Sequence, residues 1–294
     1  MGQTPDTLNE WRESAKYWTK HSATIRTMFA PLTQALIERA GIREGQSVLD
    51  VAGGPGEPSL TIAEIVGPSG SVMCTDAVPE MVETARSEAN RRGITNVQFR
   101  QCTAESIPFP DNTFDVVVSR LGAMFFPDAH AAVREMLRVA KPGGALAFAV
   151  WHTSDVNPFC YLVTRVMDQH IAPAVADPDA PTAFRFAEPG KLANVMLAAG
   201  AIDVKEDIFK FDLAAPISPR EFWNLRSQAS ESLRQKLARL SDEEQSQIAH
   251  EIEQAVVEFF PANHMKFPTQ MLIATGTKSG LHRTTRRHAD GETR

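Results

Sequence analysis

From about residue 46 to 151, short apolar runs alternate with amphipathic stretches, the pattern of βαβ units feeding a parallel sheet. The predicted strands are Ser47 to Val51, Ser71 to Thr75, Val97 to Gln101, Asp115 to Ser119 and Ala145 to Val150. Several are apolar without alternation, as expected of strands covered by helices on both faces. Helical periodicity fills the gaps around Ser59 to Val66, Pro79 to Arg92 and Ala129 to Ala140. Gly67-Pro68-Ser69-Gly70, Gly93 and Lys141-Pro142-Gly143-Gly144 read as helix stops that turn into the next strand.

Ahead of this core, Trp11, Ala15, Trp18, Ser22, Ile25 and Phe29 recur at steps of three and four, which predicts one helical face buried in the core. Behind it the spacing predicts helices over Phe159 to Ile171 and Leu192 to Ala199 and a strand over Ile202 to Leu213. A helical region follows from Pro219 to Phe260, with a capping box at Ser241 to Glu244 and an apolar face of Ile248, Ile252, Val256 and Phe259, and then a last strand, Gln270 to Thr275. The tail from Lys278 is polar, carries Arg283, Arg286, Arg287 and Arg294, and reads as disordered.

Candidate chemistry concentrates in Val48-Leu49-Asp50-Val51-Ala52-Gly53-Gly54-Pro55-Gly56-Glu57, a buried strand that ends in a small-residue loop and opens a helix. Such a loop lets backbone approach a ligand at the carboxyl edge of a doubly wound sheet. A dinucleotide fingerprint requires a third glycine, but Gly54-Pro55-Gly56-Glu57-Pro58-Ser59 has none and places an acid near the helix start, unfavourable for a diphosphate. A cationic sulfonium ligand meets no such objection. Asp76 closes the next predicted strand, where a carboxylate can accept both hydroxyls of a ribose. That spacing alone suits a dinucleotide or an adenosyl ligand.

Taken together, four stations resemble the class I S-adenosylmethionine-dependent methyltransferases over residues 42 to 151. They are Leu49 to Gly56, Asp76, Thr103-Ala104-Glu105-x-x-Pro108-Phe109 with Asp111-x-x-Phe114-Asp115-Val116-Val117, and Lys141 to Gly144. Their wording is most similar to the ubiquinone/menaquinone biosynthesis methyltransferase branch. The resemblance implies a Rossmann-like, doubly wound, mostly parallel seven-stranded α/β sheet with S-adenosyl-L-methionine as cofactor. It also implies site roles. The loop from Asp50 through Ala52, Gly53, Gly54 and Pro55 to Gly56 would cradle the methionine end, Asp76 would hold the ribose, and Ala77 would pack on the adenine. Thr103 and Ala104 would meet the adenine edge, and Arg120 and Leu121 would lie beside the transferring methyl. The chain departs from the family at Ala52, where glycine is more usual, and at Thr103, where the family more often has Asp. Plain structural roles are open to several of these residues: a helix cap for Asp76, local capping or pairing for Glu105, packing for Met81 and Met124, and an ion pair for Arg120.

The rest of the chain narrows the acceptor. Ser119-Arg120-Leu121-Gly122 lacks the Asn/Asp-Pro-Pro-aromatic pattern of amino methylation, no Pro-Cys pair supplies a cytosine-C5 nucleophile, and Cys74 and Cys102 read as strand residues rather than arsenite-binding thiols. Acid/base candidates are His152, which directly follows the fifth strand, with Tyr17 and His21 near the N-terminus and His264 further on. A surface or structural histidine describes His152 as well. The domain reading is an N-terminal helical lid at 1–41 and a methyltransferase domain at 42–277 with cap insertions at about 151–189 and 214–269. A disordered tail at 278–294 completes it. Residues 1–41 and the two insertions are expected together to cover the carboxyl edge and select a small, partly apolar substrate; the second insertion reads equally as a homodimer contact.

Composition adds exclusions. With 294 residues, 43% of them hydrophobic, the chain can bury a core without disulfides or a structural metal. Three separated cysteines suit a reducing compartment, and no apolar run is long enough to span a bilayer, so the expectation is a cytoplasmic protein without stable membrane insertion. A net charge of −6 argues against nucleic acid as partner. The expected function is methyl transfer from S-adenosylmethionine to oxygen or carbon of a small aromatic or prenylated metabolite. A nicotinamide-dependent oxidoreductase and a non-catalytic cofactor-binding protein are the alternatives.

Overall fold

The computed structural model describes residues 5–172, 177 and 179–280. Two helices, α1 (Pro5–Lys20) and α2 (Ser22–Ala40), precede an alternating core of β1 (Ser47–Val51), α3 (Ser59–Val66), β2 (Ser71–Asp76), α4 (Pro79–Arg92), β3 (Val97–Gln101), β4 (Phe114–Arg120), α5 (Ala129–Val139) and β5 (Ala140–Trp151). Then come α6 (Pro158–His170), α7 (Lys191–Ala199), β6 (Ile202–Ala215), α8 (Pro219–Ala229), α9 (Glu231–Leu237), α10 (Asp242–Val256) and β7 (Met265–Thr277). The strands form one seven-stranded sheet in the order β3-β2-β1-β4-β5-β7-β6. β1 to β5 run parallel, and β7 is antiparallel to both β5 and β6. Strand order reverses between β1 and β4, so a crevice opens above their carboxyl ends.

Local chemistry sets the joints. Pro79 opens α4 and left-handed Gly93 closes it; Gly41 caps α2 in the same way. Capping boxes at Ser218 with Glu221 and at Ser241 with Glu244 start α8 and α10. The central strands bury nearly every side chain: Val48, Leu49, Val117, Val118 and Leu146 through Val150 have no solvent exposure. Their apolar runs are the sequence image of a sheet covered on both faces.

Three sequence expectations are corrected. The single N-terminal face belongs to two helices that meet at His21; α2 buries Met28, Phe29, Leu32 and Leu36 against the sheet, whereas α1 packs on α4 and α8. Lys141 to Gly144 do not turn out of a helix but bulge within β5. Between the pairs Phe114↔Ala140 and Val116↔Ala145 the extra residues of β5 loop out, and Lys141 reaches back to Asp115 at 2.7 Å. Lys278, placed at the start of the tail by the sequence, is tied into the fold: its ammonium donates to Asn112 Oδ1 and to the carbonyls of Arg138 and Ala140. The expected disorder at 281–294 falls outside the described residues.

The excursions after β5 fold into the sheet's far end. Phe159 of α6, Phe222 of α8 and Phe267 of β7 sit with ring centroids 5.3 to 5.7 Å apart, each ring contributing about 2 to 3 kcal/mol by burial. Among the described residues no helix is long and apolar enough to cross a membrane, and no cluster of ligating side chains could hold a metal.

Candidate active site

The crevice above β1, β2, β3 and β4 holds a cavity whose floor is the loop between β1 and α3. Ala52, Gly54 and Gly56 adopt positive φ (59°, 54° and 117°). Ala52 accepts a conformation that glycine adopts at lower cost, which gives the family's usual residue at this position a physical reason. The loop is pinned from below. Gly53 donates to the Thr75 carbonyl (2.8 Å), and Gly54 donates to Asp76 Oδ2 (2.9 Å). A Cβ at Gly54 would meet nothing within 4 Å, so the backbone here lies open to a ligand.

Asp50 holds the loop's far end. Fully buried at the end of β1, it accepts from the Ser59 hydroxyl (2.6 Å) and the Ser59 amide (3.1 Å), while Oδ1 has no partner. The first amides of α3 are thus consumed internally, Ser59 by Asp50 and Leu60 by the Gly56 carbonyl. They do not form the anion site that a dinucleotide diphosphate needs. Burial pushes the Asp50 carboxyl up to about 7 against the lowering influence of Ser59 and Arg120. The folded state therefore retains a proton that the unfolded chain has released, and Asp50 withdraws stability as pH rises from about 4 to 7. Asp50→Asn is accordingly expected to gain thermal stability relative to the wild type between pH 5 and pH 8, read as the difference in melting temperature; a difference that does not vary with pH contradicts the buried proton.

Asp76 stands at the end of β2. Its Oδ1 accepts from the Val78 amide and its Oδ2 from the Gly54 amide, both at 2.9 Å. Asp76 also lines the cavity. Burial raises this carboxyl to about 6, opposed by those amides and that of Ala77. Glu57, the acid noted beside the loop, lines the cavity but is committed to Arg92 and Thr61, each at 2.6 Å.

The remaining walls come from strand ends and from the N-terminal helices. Cys102, Thr103, Ala104 and Glu105 follow β3; Glu105 accepts from the Asp128 amide at 3.3 Å and also borders the cavity. Arg120, Leu121 and Gly122 end β4, with Phe125 and Phe126 beyond. Overhead, α1 and α2 supply Trp11, Trp18, Ser22, Ile25 and Arg26. Trp11 meets Phe125 edge to face at 4.9 Å and Trp18 at 6.0 Å, and the buried Trp18 Nε1 has no hydrogen-bond partner.

The cavity brings together Ala52, Gly53, Gly54, Pro55, Asp76, Ala77, Thr103, Ala104, Arg120 and Leu121. Asp50 and Gly56 support the loop from behind. The acid/base candidates are not among the lining residues. His152 Nδ1 accepts from the adjacent Thr153 amide (2.6 Å), His21 Nε2 lies 3.0 Å from Gln228 Oε1, and Tyr17 lies under the Arg234 guanidinium. His264 Nδ1 lies 2.9 Å from the Ala262 carbonyl oxygen. None of the described insertion residues of 151–189 or 214–269 lines the cavity either; the roof is α1 and the start of α2. Trp11 and Trp18, expected in the core, line the cavity; Ile25 and Met81 are buried as core and border it as well, and Met124 is core. Their helical spacing was readable, but what the face covers depends on where α1 docks.

Comparison with known proteins places this geometry. The ubiE/COQ5 methyltransferase family model matches residues 30–174. The ubiquinone/menaquinone biosynthesis C-methyltransferase UbiE of Pseudomonas putida is 43% identical over 134 residues, 45% of this chain and 52% of that one. An uncharacterized protein of Mycobacterium tuberculosis is 40% identical over 124 residues, 42% and 44% of the two chains. The chain thus spans about half the length of the curated relatives it matches. Among solved structures, the YcgJ protein of Bacillus subtilis superposes with a TM-score of 0.51 at 25% identity, covering 84% of this chain and 97% of that one. The [4+2]-cyclase SpnF shares the fold with a TM-score of 0.52 at 20% identity, over 91% and 96%. The fold alone therefore does not determine the reaction, which has to be argued from the site.

Proposed function

We propose that this chain, which carries a class I S-adenosylmethionine-dependent methyltransferase domain of the UbiE-like branch, transfers the cofactor's methyl group to oxygen or carbon of a small, partly apolar metabolite. The observation that carries this reading is the convergence, on one cavity, of the open Gly53–Gly54 backbone, the Asp76 carboxylate, the Thr103–Ala104 wall and the end of β4 under an indole roof.

The residues fit the cofactor. The Asp76 carboxylate that lines the cavity suits the ribose hydroxyls, Ala77 and Ala104 give an apolar slot for the adenine, and the loop leaves room for the methionine end. When bound, the cofactor supplies a methyl group on a sulfonium, which leaves as a neutral thioether. The protein's task is to align the acceptor with that methyl group and to exclude water. Leu121, Gly122 and Phe125 line the wall beside the expected methyl position, and Trp11 and Trp18 close the roof with apolar surface that suits an aromatic or prenylated acceptor. Among the described residues no histidine lines the cavity.

A nicotinamide-dependent oxidoreductase is disfavoured because the α3 amides are spent on Asp50 and Gly56. Methyl transfer is tested by incubating the protein with methyl-labelled cofactor and a small-molecule extract. Label is expected in the low-mass organic fraction. Cofactor binding without any labelled product would instead make the chain a non-catalytic binding protein.

A further inference from the structure

Arg120 is the least explained charge in the cavity wall. Its residue is 9% exposed and ends β4. The guanidinium donates through Nη1 to Thr33 Oγ1 of α2 (2.6 Å) and through Nη2 to the Glu57 carbonyl (3.1 Å), while the buried Nε has no partner. The Phe29 ring lies under it at 5.7 Å. Among the described residues no carboxylate lies within ion-pair distance of it. The acids that line the cavity have direct partners of their own: Glu57 pairs with Arg92, Glu88 with Arg91 and Arg26, Asp76 accepts from the Gly54 and Val78 amides, and Glu105 from the Asp128 amide. A guanidinium keeps its charge even where burial opposes it. The hydrogen bonds of Arg120 go only to neutral oxygens, with Glu57 and Asp50 favouring the charge at longer range, and an anion that arrives with the ligand supplies the direct partner it lacks.

We propose that Arg120 anchors the α-carboxylate at the methionine end of the bound cofactor. The proposal rests on the cofactor reading above. Its location carries it: the bond to the Glu57 carbonyl ties the guanidinium to the exit of the β1–α3 loop, where the methionine end is expected, and the bond to Thr33 fixes it against α2. A guanidinium that borders the cavity offers a planar fork matched to a carboxylate. Arg120 thus serves as a cofactor anchor, not as a contact for the methyl group. The charge also gives α2 and the glycine loop a shared ligand, so the methionine end would be clamped between the roof and the floor.

The test is calorimetric binding of two probes, S-adenosylhomocysteine and its decarboxylated analogue, to the wild type, Arg120→Met and Arg120→Lys. The wild type is expected to bind the decarboxylated analogue about 30-fold or more weakly than S-adenosylhomocysteine. Arg120→Met is expected to lose a similar factor for S-adenosylhomocysteine while holding the analogue within about threefold of wild type, with Arg120→Lys intermediate. Equal binding of both probes by the wild type overturns the anchor without recourse to any variant. So does an Arg120→Met protein that keeps its S-adenosylhomocysteine affinity, which would leave the charge for an anionic acceptor, or one that loses both probes equally, which would make Arg120 a scaffold residue. Binding of neither probe to the wild type removes the cofactor reading itself.

Discussion

Asp76→Ala is expected to weaken S-adenosylhomocysteine binding by roughly two orders of magnitude, the scale of two lost charge-assisted hydrogen bonds. The carboxylate does two jobs at once. It holds the Gly54 and Val78 amides at 2.9 Å, which fixes the loop to the end of β2, and it lines the cavity where the ribose is expected. Removing it takes away the ribose partner and unpins the loop that carries the methionine end. The pH dependence separates the two jobs. Because burial sets this carboxyl at about 6, the ionised acceptor is present at pH 7 and is lost on acidification through that value. Wild-type affinity is therefore expected to fall several-fold between pH 7 and pH 5, and the step centred near 6 to vanish in Asp76→Ala. An alanine variant that binds as tightly as wild type would contradict this assignment.

The second large effect is expected at Gly53, where the constraint is steric. A Cβ there would lie 2.7 Å from both Asp50 Oδ2 and Cys74 Sγ, closer than side-chain carbons approach. Neither neighbour can retreat, since Asp50 is held by two bonds from Ser59 and Cys74 is buried in β2. The loop itself must lift, breaking the Gly53 bond to the Thr75 carbonyl and shifting Gly54 from Asp76. Gly53→Ala is expected to cost roughly 1 to 3 kcal/mol of stability by overpacking, and to weaken S-adenosylhomocysteine binding at least tenfold. Gly54→Ala is the informative contrast. Its Cβ meets no protein atom, so its fold is expected to suffer only from the positive φ, and any larger loss belongs to the ligand. Chemical denaturation alongside calorimetry separates the two. Equal stability losses would contradict the steric account.

Much of this was legible in the chain. Hydrophobic runs located β1 to β5 because strands buried on both faces write themselves as short apolar words, and glycines marked their exits. Asp50 and Asp76 stood out as acids at strand ends, where a buried carboxylate needs a reason. A lid over residues 1–41 was expected, but the indoles that line it were not legible. Trp11 and Trp18 have the spacing of any buried helical face, and nothing local says that α1 crosses the strand ends instead of the sheet's flank. His152 misled through its position after β5: proximity in sequence to a strand end does not aim a side chain, and its Nδ1 turns back to the next amide. Arg120 was readable as an ion-pair residue, and only three dimensions show that its direct hydrogen bonds go to Thr33 and the Glu57 carbonyl and not to a carboxylate.

The most direct test of the central claim is a calorimetric titration of the wild-type protein with S-adenosylhomocysteine, with NADH titrated as the comparison ligand. One-to-one saturable binding of S-adenosylhomocysteine, and none of NADH, is the predicted result. Absence of S-adenosylhomocysteine binding to folded protein, or tighter binding of NADH, would contradict it.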